Sequence, residues 1–587
     1  MIDQRGRRLI RFVAVAVAIV LAACGPSSSD DDDDDDDGGS QPCTNGEHVC
    51  TGMVWQTCVS GSFVDTETCA TSCDAFQGCT FCAPSTGTCT GDYSQVCLPD
   101  GSAFVEQYCD PVQGMACSTS GICEGPCAPT SLGDSYVGCD YWPTVTGNIV
   151  SQSYEFAVAV SNTTMTAATV TIDGGATTAP IVFMVQPQST SVQRLPWVPA
   201  LKLGNSTNVD QNRAPMLGAF AVGGAYHMRS TQPVTAYQFN PLDYTVPGLP
   251  TNSYSNDASL LLPSNAWRTR YYVASYPALA DGSIAWPSQM AVTAHQAGTQ
   301  VTITTKANTP AAGGAPAFVA NVPQTVVLGA GDVIELTSIT GDLTGTYVES
   351  NLPIEVFGAH YCTYIPSLTY GYCDHLEESM FPIDALSTRY VVVAPAVTTI
   401  PAGKEQVVRI IATEPNTTVS YDPPVMGAAL TIANAGDFIE IARNAQSFAI
   451  TATSKVLVSQ YMEGSTVAGN TGDPSMSLAV PVEQYRNSYL FHAPTNYETN
   501  YVDIIAPTGT SVMLDGANIS NFTAIGASGF SLARVTPLGA GPLGDGNHSI
   551  TGSAAFGISV YGYGQDTSYW YPGGLDLDIV PIGHTAP

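Results

Sequence analysis

The sequence predicts an all-β protein in which four tandem antiparallel β-sandwich-like repeats follow small disulfide-rich modules. Three observations support this fold class. Only 12% of the residues are charged, and glycine, threonine, valine and tyrosine are frequent, as in strands joined by turns. Fourteen of the 17 cysteines lie between Cys43 and Cys139. After them, one ordered set of strand patterns recurs four times, and the chain is long enough for several domains.

Residues 1–23 have the pattern of a secretory signal peptide. Four arginines precede the apolar run Phe12–Leu21, which is too short to span a membrane. The run ends in Leu21-Ala22-Ala23-Cys24, which resembles a bacterial lipobox, the motif whose cysteine is diacylated and becomes the N-terminus after cleavage. The sequence therefore predicts that Cys24 is lipidated and anchors the protein to the bacterial cell envelope. The alternative is an ordinary signal peptide with Cys24 as an odd thiol.

Residues 24–42 are predicted to be the lipid anchor and an acidic linker. Eight consecutive aspartates, Asp30–Asp37, repel one another and keep the segment extended and solvated. A block of identical charges sets no ligand geometry, so we expect a spacer rather than a calcium site or an export signal. Gly25, rather than an acidic residue, follows Cys24, which favours the outer membrane or the cell surface.

The charge of the chain limits its partners. Without residues 1–23 it keeps 14 basic and 49 acidic side chains, a net charge of −35. Such a surface repels phosphate backbones, so no nucleic acid partner is expected. Because no later apolar run is long enough to cross a membrane, membrane attachment is expected through the lipid anchor alone.

Residues 43–127 contain a duplicated cysteine pattern, with modules at 43–79 and 82–123. The cysteine spacings are 7, 8, 11, 4 and 6 residues in the first module and 7, 8, 12, 8 and 6 in the second. Modules this small need cross-links to fold. The cysteines expected to form disulfides are Cys43, Cys50, Cys58, Cys69, Cys73, Cys79, Cys82, Cys89, Cys97, Cys109, Cys117 and Cys123, with Cys127 pairing with Cys139. Zinc is the alternative, but the even count and export favour disulfides, whose connectivity within the modules stays open.

Residues 134–580 are predicted to hold the four-fold β-repeat. Each copy begins with an alternating strand at one of four valines, Val170, Val301, Val419 and Val512. Each continues to a long strand that starts near an aromatic residue, Tyr226, Tyr347, Phe448 or His548. Period-two alternation and glycine- and proline-rich turns favour an antiparallel sandwich in each copy.

Three of the repeats share a proline followed eight residues later by a tyrosine that opens a strand. The pairs are Pro263 with Tyr271, Pro382 with Tyr390, and Pro481 with Tyr489. Their common order among the other elements indicates a true repeat. The spacing is compatible with sandwiches in a row and with closure into a ring or propeller, and we expect packed sandwiches.

Thr363–Tyr372 is the loop that is most distinctive among the repeats. Cys362 and Cys373 flank it and are expected to form a disulfide across its ends. Specificity is expected in loops that differ between copies, and tethered tyrosines offer contact area at a low entropic cost. Tyr364 and Tyr370 are therefore the candidate binding residues. The alternative is a disulfide that only protects the loop from proteolysis.

The repeat region resembles the IgGFc-binding protein N-terminal domain family. The motifs that carry the resemblance are Ser135-Tyr136-Val137-Gly138-Cys139-Asp140-Tyr141-Trp142, Asp473-Pro474-Ser475-Met476-Ser477 with Pro481-Val482-Glu483-Gln484-Tyr485, and Ser568-Tyr569-Trp570-Tyr571-Pro572-Gly573-Gly574. The resemblance covers about residues 134–575. It implies binding to immunoglobulin or mucin-like partners and brings no catalytic residue.

The sequence contains no nucleophile elbow, zinc-protease helix motif, phosphate-binding loop or EF-hand spacing. We therefore expect no catalytic residue, no metal, no cofactor and no enzymatic activity. The densest group of titratable residues is Asp374-His375-Leu376-Glu377-Glu378. Next to the loop it is expected to be a solvated polar patch rather than a metal or acid–base site.

The expected function is that of a cell-surface or outer-membrane lipoprotein that binds extracellular protein or glycan partners in adhesion. Two alternatives remain open. An exported glycan- or protein-processing hydrolase would be favoured by a cleft with two carboxylates within about 10 Å of each other, at least one of them shielded from solvent. A structural envelope component would lack a concave or aromatic surface.

Overall fold

The computed structural model describes residues 43–204, 217–249, 251–282, 284–401, 403–468, 471–542 and 544–581. Cys24, the signal peptide and the acidic linker lie outside these residues. The described residues form two compact units, one with residues 43–84 and Leu98–Ala103, the other with Ser85–Cys97 and the described part of 104–581. The regular elements described are strands and short 3-10 helices, and none of these helices is long and apolar enough to cross a membrane. The predicted all-β class is confirmed.

Each cysteine module forms a three-stranded sheet followed by a small hairpin. The first contains β1 (His48–Thr51), β2 (Val54–Val59), β3 (Ser62–Thr68), β4 (Ser72–Asp74) and β5 (Gly78–Thr80). The second contains β6 (Gly87–Thr90), β7 (Tyr93–Cys97), β8 (Phe104–Tyr108), β9 (Ala116–Cys117) and β10 (Cys123–Glu124). Gly52 and Gly91 begin the first turn of each sheet with positive φ, which glycine adopts without steric cost.

Disulfides stabilise both modules, as expected of a disulfide-rich region. The pairs in the first module are Cys43–Cys58, Cys50–Cys73 and Cys69–Cys79. In the second module, Cys89–Cys117 and Cys109–Cys123 repeat the last two of these pairs, and Cys82 and Cys97 are also disulfide-bonded. Cys127 pairs with Cys139 and Cys362 pairs with Cys373.

Four repeats follow the modules. The first contains β11 (Gly138–Tyr141), β12 (Phe156–Asn162), β13 (Ala168–Gly174), β14 (Ile181–Val185), β15 (Ser189–Leu195), β16 (Ala219–Ala221), β17 (Tyr226–Phe239) and β18 (Ala258–Leu261). The second contains β19 (Arg268–Tyr272), β20 (Leu279–Asp281), β21 (Ile284–Trp286), β22 (Ser288–Ala294), β23 (Thr299–Thr304), β24 (Gln324–Leu328), β25 (Val333–Ser338), β26 (Tyr347–Thr363) and β27 (Asp374–Ser379). β16 leaves its own repeat and pairs with β25 of the second.

The third repeat contains β28 (Ser387–Val392), β29 (Gln406–Ala412), β30 (Thr417–Asp422), β31 (Thr431–Ile432), β32 (Phe438–Asn444), β33 (Phe448–Met462) and β34 (Met476–Leu478). The fourth contains β35 (Arg486–His492), β36 (Thr499–Pro507), β37 (Val512–Leu514), β38 (Ala517–Ile519), β39 (Thr523–Ala524), β40 (Phe530–Leu538), β41 (Asn547–Gly564) and β42 (Thr567–Pro572). The described 3-10 helices are Pro111–Gln113, Ser264–Ala266, Ile383–Ala385, Ser465–Ala468 and Val482–Gln484.

One long strand in each repeat belongs to both layers of a curled sheet. In the second repeat, the first half of β26 pairs with β19 and β23, and its second half pairs with β22 and β27. The change falls between Ser350, which pairs with Val301, and Ile354, which pairs with Ala294. β17, β33 and β41 divide in the same way. The two halves face each other across an apolar core.

The shared tyrosine fixes the bend of each long strand. The hydroxyl of Tyr271 donates to the backbone oxygen of Ile354 at 2.7 Å. Tyr390 and Tyr489 donate in the same way to Val456 and Phe556. In the first repeat, which lacks the proline, Tyr141 donates to Val234 at 2.6 Å. The proline itself is the N-cap residue of the short 3-10 helix that enters each following repeat.

The four repeats close into a ring, which decides between the two arrangements that the spacing left open. One hydrogen bond at each boundary illustrates the packing: Thr144–Thr293 (2.8 Å), Arg409–Thr344 (2.8 Å), Thr398–Tyr501 (2.9 Å) and Tyr237–Leu490 (3.0 Å). At the seam, the amide of Tyr136 donates to Leu575 at 3.1 Å, and that of Leu577 donates to Asp134 at 2.8 Å. The two ends of the repeat region thus bind each other.

Candidate functional site

The last strands of the four repeats meet at the centre of the ring. β18, β27, β34 and β42 each pair with the second half of the long strand of their own repeat. Each of them also packs against the inner strands of its neighbours. Every side chain of these four strands is buried. The centre therefore collects residues from all four copies.

Asp257, just before β18, is the residue that contacts every repeat. Its Oδ2 accepts hydrogen bonds from the amides of Glu377 and Met476, both at 3.1 Å. Its Oδ1 accepts from the Ser475 hydroxyl at 2.5 Å and from the amide of Trp570 at 3.2 Å. These donors come from the second, third and fourth repeats, so one carboxyl group links all four copies.

Asp374 and Asp473 occupy equivalent positions in the second and third repeats. Asp374 Oδ2 accepts from the Thr567 hydroxyl at 3.0 Å and from the amide of Ser568 at 3.3 Å. The amide of Asp473 donates to the Ser568 hydroxyl at 2.9 Å. Both residues therefore bind the last strand of the fourth repeat.

Glu377 binds polar residues of the first repeat. Its Oε2 accepts from Thr146 Oγ1 at 2.7 Å and from Asn240 Nδ2 at 3.0 Å, and its Oε1 accepts from Ser259 Oγ at 3.1 Å. His375 Nε2 lies 3.6 Å from Glu377 Oε2. Glu378 Oε1 accepts from the amide of Leu260 at 3.1 Å, which extends the contact along β18.

The prediction of a solvated patch at Asp374–Glu378 is therefore wrong. All five of these residues are 0% exposed, because β27 is an inner strand of the ring. A run with polar residues on both faces looks like a surface strand when read alone. Here the other repeats supply the hydroxyl and amide donors that make its burial possible.

Burial dominates the electrostatics of this centre. Removal from water raises the pKa of Asp257 well above its usual range, although the hydrogen bonds from Ser475, Met476 and Glu377 oppose this. Burial and the neighbouring carboxyl groups raise the pKa of Asp374 and Asp473 in the same direction. Burial therefore opposes the charged form of these carboxyl groups, and the hydrogen bonds that they accept from other repeats offset part of its cost.

This arrangement joins the four repeats and is closed to solvent. Acid–base catalysis requires a group within hydrogen-bond reach of the substrate, and these carboxyl groups have no exposed surface. Among the described residues, no group of three His, Cys, Asp or Glu side chains is placed to hold a metal ion.

A buried arginine, which the sequence did not single out, joins the second and third repeats. Arg409 is 2% exposed and pairs with Asp342 at 2.9 Å and with Glu440 at 2.8 Å. Its guanidinium group also stacks on Tyr276 and Phe438, 4.5 and 4.6 Å from the ring centres. An arginine inside the apolar run of β29 was the available signal.

The predicted binding loop, Thr363–Tyr372, lies against the third repeat. The amide of Gly464 donates to the backbone oxygen of Ile365 at 2.9 Å, and the Ser465 hydroxyl donates to that of Gly371 at 2.7 Å. The amide of Tyr372 donates to Asp473 Oδ1 at 2.9 Å. The loop is therefore held by backbone contacts as well as by the disulfide between Cys362 and Cys373.

The two candidate tyrosines of this loop are half-buried rather than fully exposed. Arg443 donates to the Tyr370 hydroxyl at 2.6 Å and stacks on its ring, 4.7 Å from the centre. Tyr364 is also half-buried. The exposed apolar groups of the loop are Leu368 at 44% and Tyr372 at 59%. The sequence showed which loop is distinctive but not which of its residues face solvent.

Buried titratable groups lie beneath this loop. Burial raises the pKa of Glu463 to about 7, and Arg443 opposes the shift. Burial lowers the pKa of Lys404 to about 8, and its Nζ donates to the backbone oxygen of Glu463 at 2.6 Å. These groups belong to the third repeat and lie next to Gly464 and Ser465, which bind the loop of the second repeat.

The chain is similar to a known protein family. No curated protein matches the chain. The family model described as IgGFc binding protein matches residues 257–562, which is just over half of the chain and runs from the central Asp257 to β41. The chain therefore belongs to the IgGFc-binding protein family, whose name indicates a protein-binding role.

Proposed function

We propose that this chain is a lipid-anchored protein of the bacterial cell envelope that binds extracellular protein or glycan partners through loops of its β-ring. The observation that carries the proposal is that the repeats have a buried polar centre and, separately, a distinctive loop with exposed side chains. Their dense polar cluster is buried and holds the ring together, whereas Thr363–Tyr372 presents Leu368 and Tyr372 on its outside. A rigid scaffold with distinctive loops is the usual plan of a binding protein.

Concave surfaces favour binding over a purely structural role. A cavity of about 340 Å³ lies at the ring seam and is lined by residues such as Ser135, Thr163, Arg486 and Thr551. A second, of about 570 Å³, lies between the third and fourth repeats. We also propose that the protein is not an enzyme, because the carboxyl groups clustered at the centre of the ring are buried rather than set in an open cleft.

The binding proposal is tested with the mature chain immobilised on a sensor. The probes are immunoglobulin Fc fragment, mucin and a glycan array. For any probe that binds, Leu368→Ala with Tyr372→Ala should weaken binding at least tenfold. Met426→Ala is the matched control, because Met426 is 99% exposed on the third repeat. Equal loss in the control, or none in the loop variant, would remove the loop from the binding surface.

The anchor is tested separately in cells. Cys24→Ala should release the protein from the membrane fraction or leave its signal peptide uncut. Palmitate labelling of the membrane fraction reports the lipid directly. A Cys24→Ala chain that still carries label and stays in the membrane would contradict the lipoprotein proposal.

A further inference from the structure

The two cysteine modules present the same outer strand. In the first module, β3 places Phe63 opposite Cys58 and Asp65 opposite Gln56. In the second module, β8 places Phe104 opposite Cys97 and Glu106 opposite Gln95. The duplication therefore preserves not only the cysteines but also one Phe-Val-acid sequence in the same register.

Both strands lie at the edge of their sheets and are open to solvent. Within the part of the chain that the structure describes, β3 pairs with β2 alone and β8 pairs with β7 alone. All seven residues of β3 are exposed, with Phe63 at 37% and Val64 at 51%. On β8, Phe104 is 44% and Val105 is 51% exposed. An edge strand offers backbone donors and acceptors to any extended segment that reaches it.

A large part of each of these apolar side chains stays open to solvent, from 37% of Phe63 to 51% of Val64 and Val105. The cysteines across from the two phenylalanines, Cys58 and Cys97, are 2% and 1% exposed, and disulfides stabilise both modules. Small domains of this kind gain stability from cross-links rather than from apolar burial. Both modules have apolar residues at the same exposed positions of the outer strand. This repetition indicates that these residues contact another molecule.

The charges on β3 and β8 indicate which kind of segment can pair with these two strands. Asp65 and Glu67 are exposed on β3, and Glu106 is exposed on β8. Gln56 Nε2 donates to Asp65 Oδ1 at 2.6 Å, which holds that carboxylate beside the strand. Pairing with a second copy would bring like charges together, in a chain of net charge −32. A basic extended segment would instead complement both the backbone and the carboxylates.

We propose that β3 and β8 each accept an extended, basic segment of a partner protein as an added β-strand, with apolar side chains beside the valines. This mode of recognition takes affinity from main-chain hydrogen bonds and specificity from alternate side chains. The inference rests on the proposed function only in taking the partner to be a protein, and it names a surface separate from the ring loops. Two equivalent strands would bind two segments per chain.

The test uses the full mature chain and an eight-residue peptide of alternating lysine and valine. Calorimetry should show two peptides bound per chain, with binding weakened by salt. A peptide with glutamate in place of lysine should not bind, and one with proline in place of valine should bind at least tenfold more weakly. Hydrogen exchange should slow in β3 and β8 but not in β14, an outer strand of the ring.

Variants separate the two strands. Val64→Glu and Val105→Glu should each leave one bound peptide, and the double variant should leave none. Val182→Glu on β14 is the matched control, since Val182 is 61% exposed, and it should keep two. Alkylation before reduction checks that every module disulfide has formed.

Peptide binding that survives in the double variant, or self-association of the chain through these strands, would overturn the inference. If the peptide fails while a ring-loop partner still binds, only this inference falls. If the peptide binds while no probe recognises the ring loops, only the proposed role of the ring falls.

Discussion

The carboxyl group of Asp257 accepts hydrogen bonds from the other three repeats, so the stability of the ring should depend strongly on this side chain. Asp257→Asn would turn an amide donor toward the N–H groups of neighbouring repeats and leave part of the network unpaired. We expect a loss of about 2–4 kcal/mol in the free energy of unfolding, measured by denaturant titration. Asp578→Asn, at an exposed aspartate, is the control and should change little. An Asp257→Asn chain as stable as the wild type would contradict the linking role.

Glu463 should make the stability of the ring depend on pH. Its pKa rises from 4.5 to about 7 on folding, so the folded chain holds the proton more tightly. The stabilisation from Glu463 is thus complete below pH 4.5 and is lost as the pH rises through about 7. Glu463→Gln should gain about 2 kcal/mol relative to wild type between pH 4.5 and pH 8.

Denaturant titrations at several pH values measure this difference for Glu463→Gln and for Glu498→Gln. Glu498 is exposed, so its variant should follow the wild type throughout. A difference between Glu463→Gln and wild type that stays constant with pH would show that the Glu463 carboxyl group does not titrate as described.

At the scale of the element, the tyrosine at the bend is the repeated device of this fold. Tyr390→Phe would leave the buried oxygen of Val456 without its hydroxyl donor. Each such substitution, at Tyr271, Tyr390 or Tyr489, should cost about 1–2 kcal/mol of unfolding free energy. Tyr372→Phe, on an exposed tyrosine, should cost nothing measurable. Equal stability of all four variants would show that the bend does not depend on the hydroxyl.

Local patterns were enough to predict most of these elements. Alternation around Val301 and Val419 placed β23 and β30, and the proline–tyrosine pairs placed the strand that opens each later repeat. Contacts between distant parts of the chain could not be read in this way. The exchange of β16 into the second repeat, and the burial of β27, depend on hydrogen-bond partners more than 100 residues away. A polar strand gives the same local signal at a surface and in a satisfied core.

At the scale of the whole molecule, the ring should unfold as one unit closed by its seam. A chain ending at Gly574 would lose Leu575 and Leu577, which are 0% and 1% exposed, together with the hydrogen bonds to Asp134 and Tyr136. Two buried leucines alone contribute about 3–6 kcal/mol. We expect a lower melting temperature and a broader transition by calorimetry. A chain ending at Pro581 keeps the seam and should melt like the full chain.

The position of Asp257 at the axis also constrains how this protein can evolve or be redesigned. Six residues before the shared proline, the first three repeats carry Asp257, Leu376 and Ser475. Four identical copies of the first repeat would bring four carboxyl groups to the position where Asp257 now uses donors of the other three repeats, and those donors could not satisfy four buried carboxyl groups. The copies must therefore differ at this position. A consensus sequence averaged over the repeats would place the same residue at this position in every copy, and the ring would then fail to close.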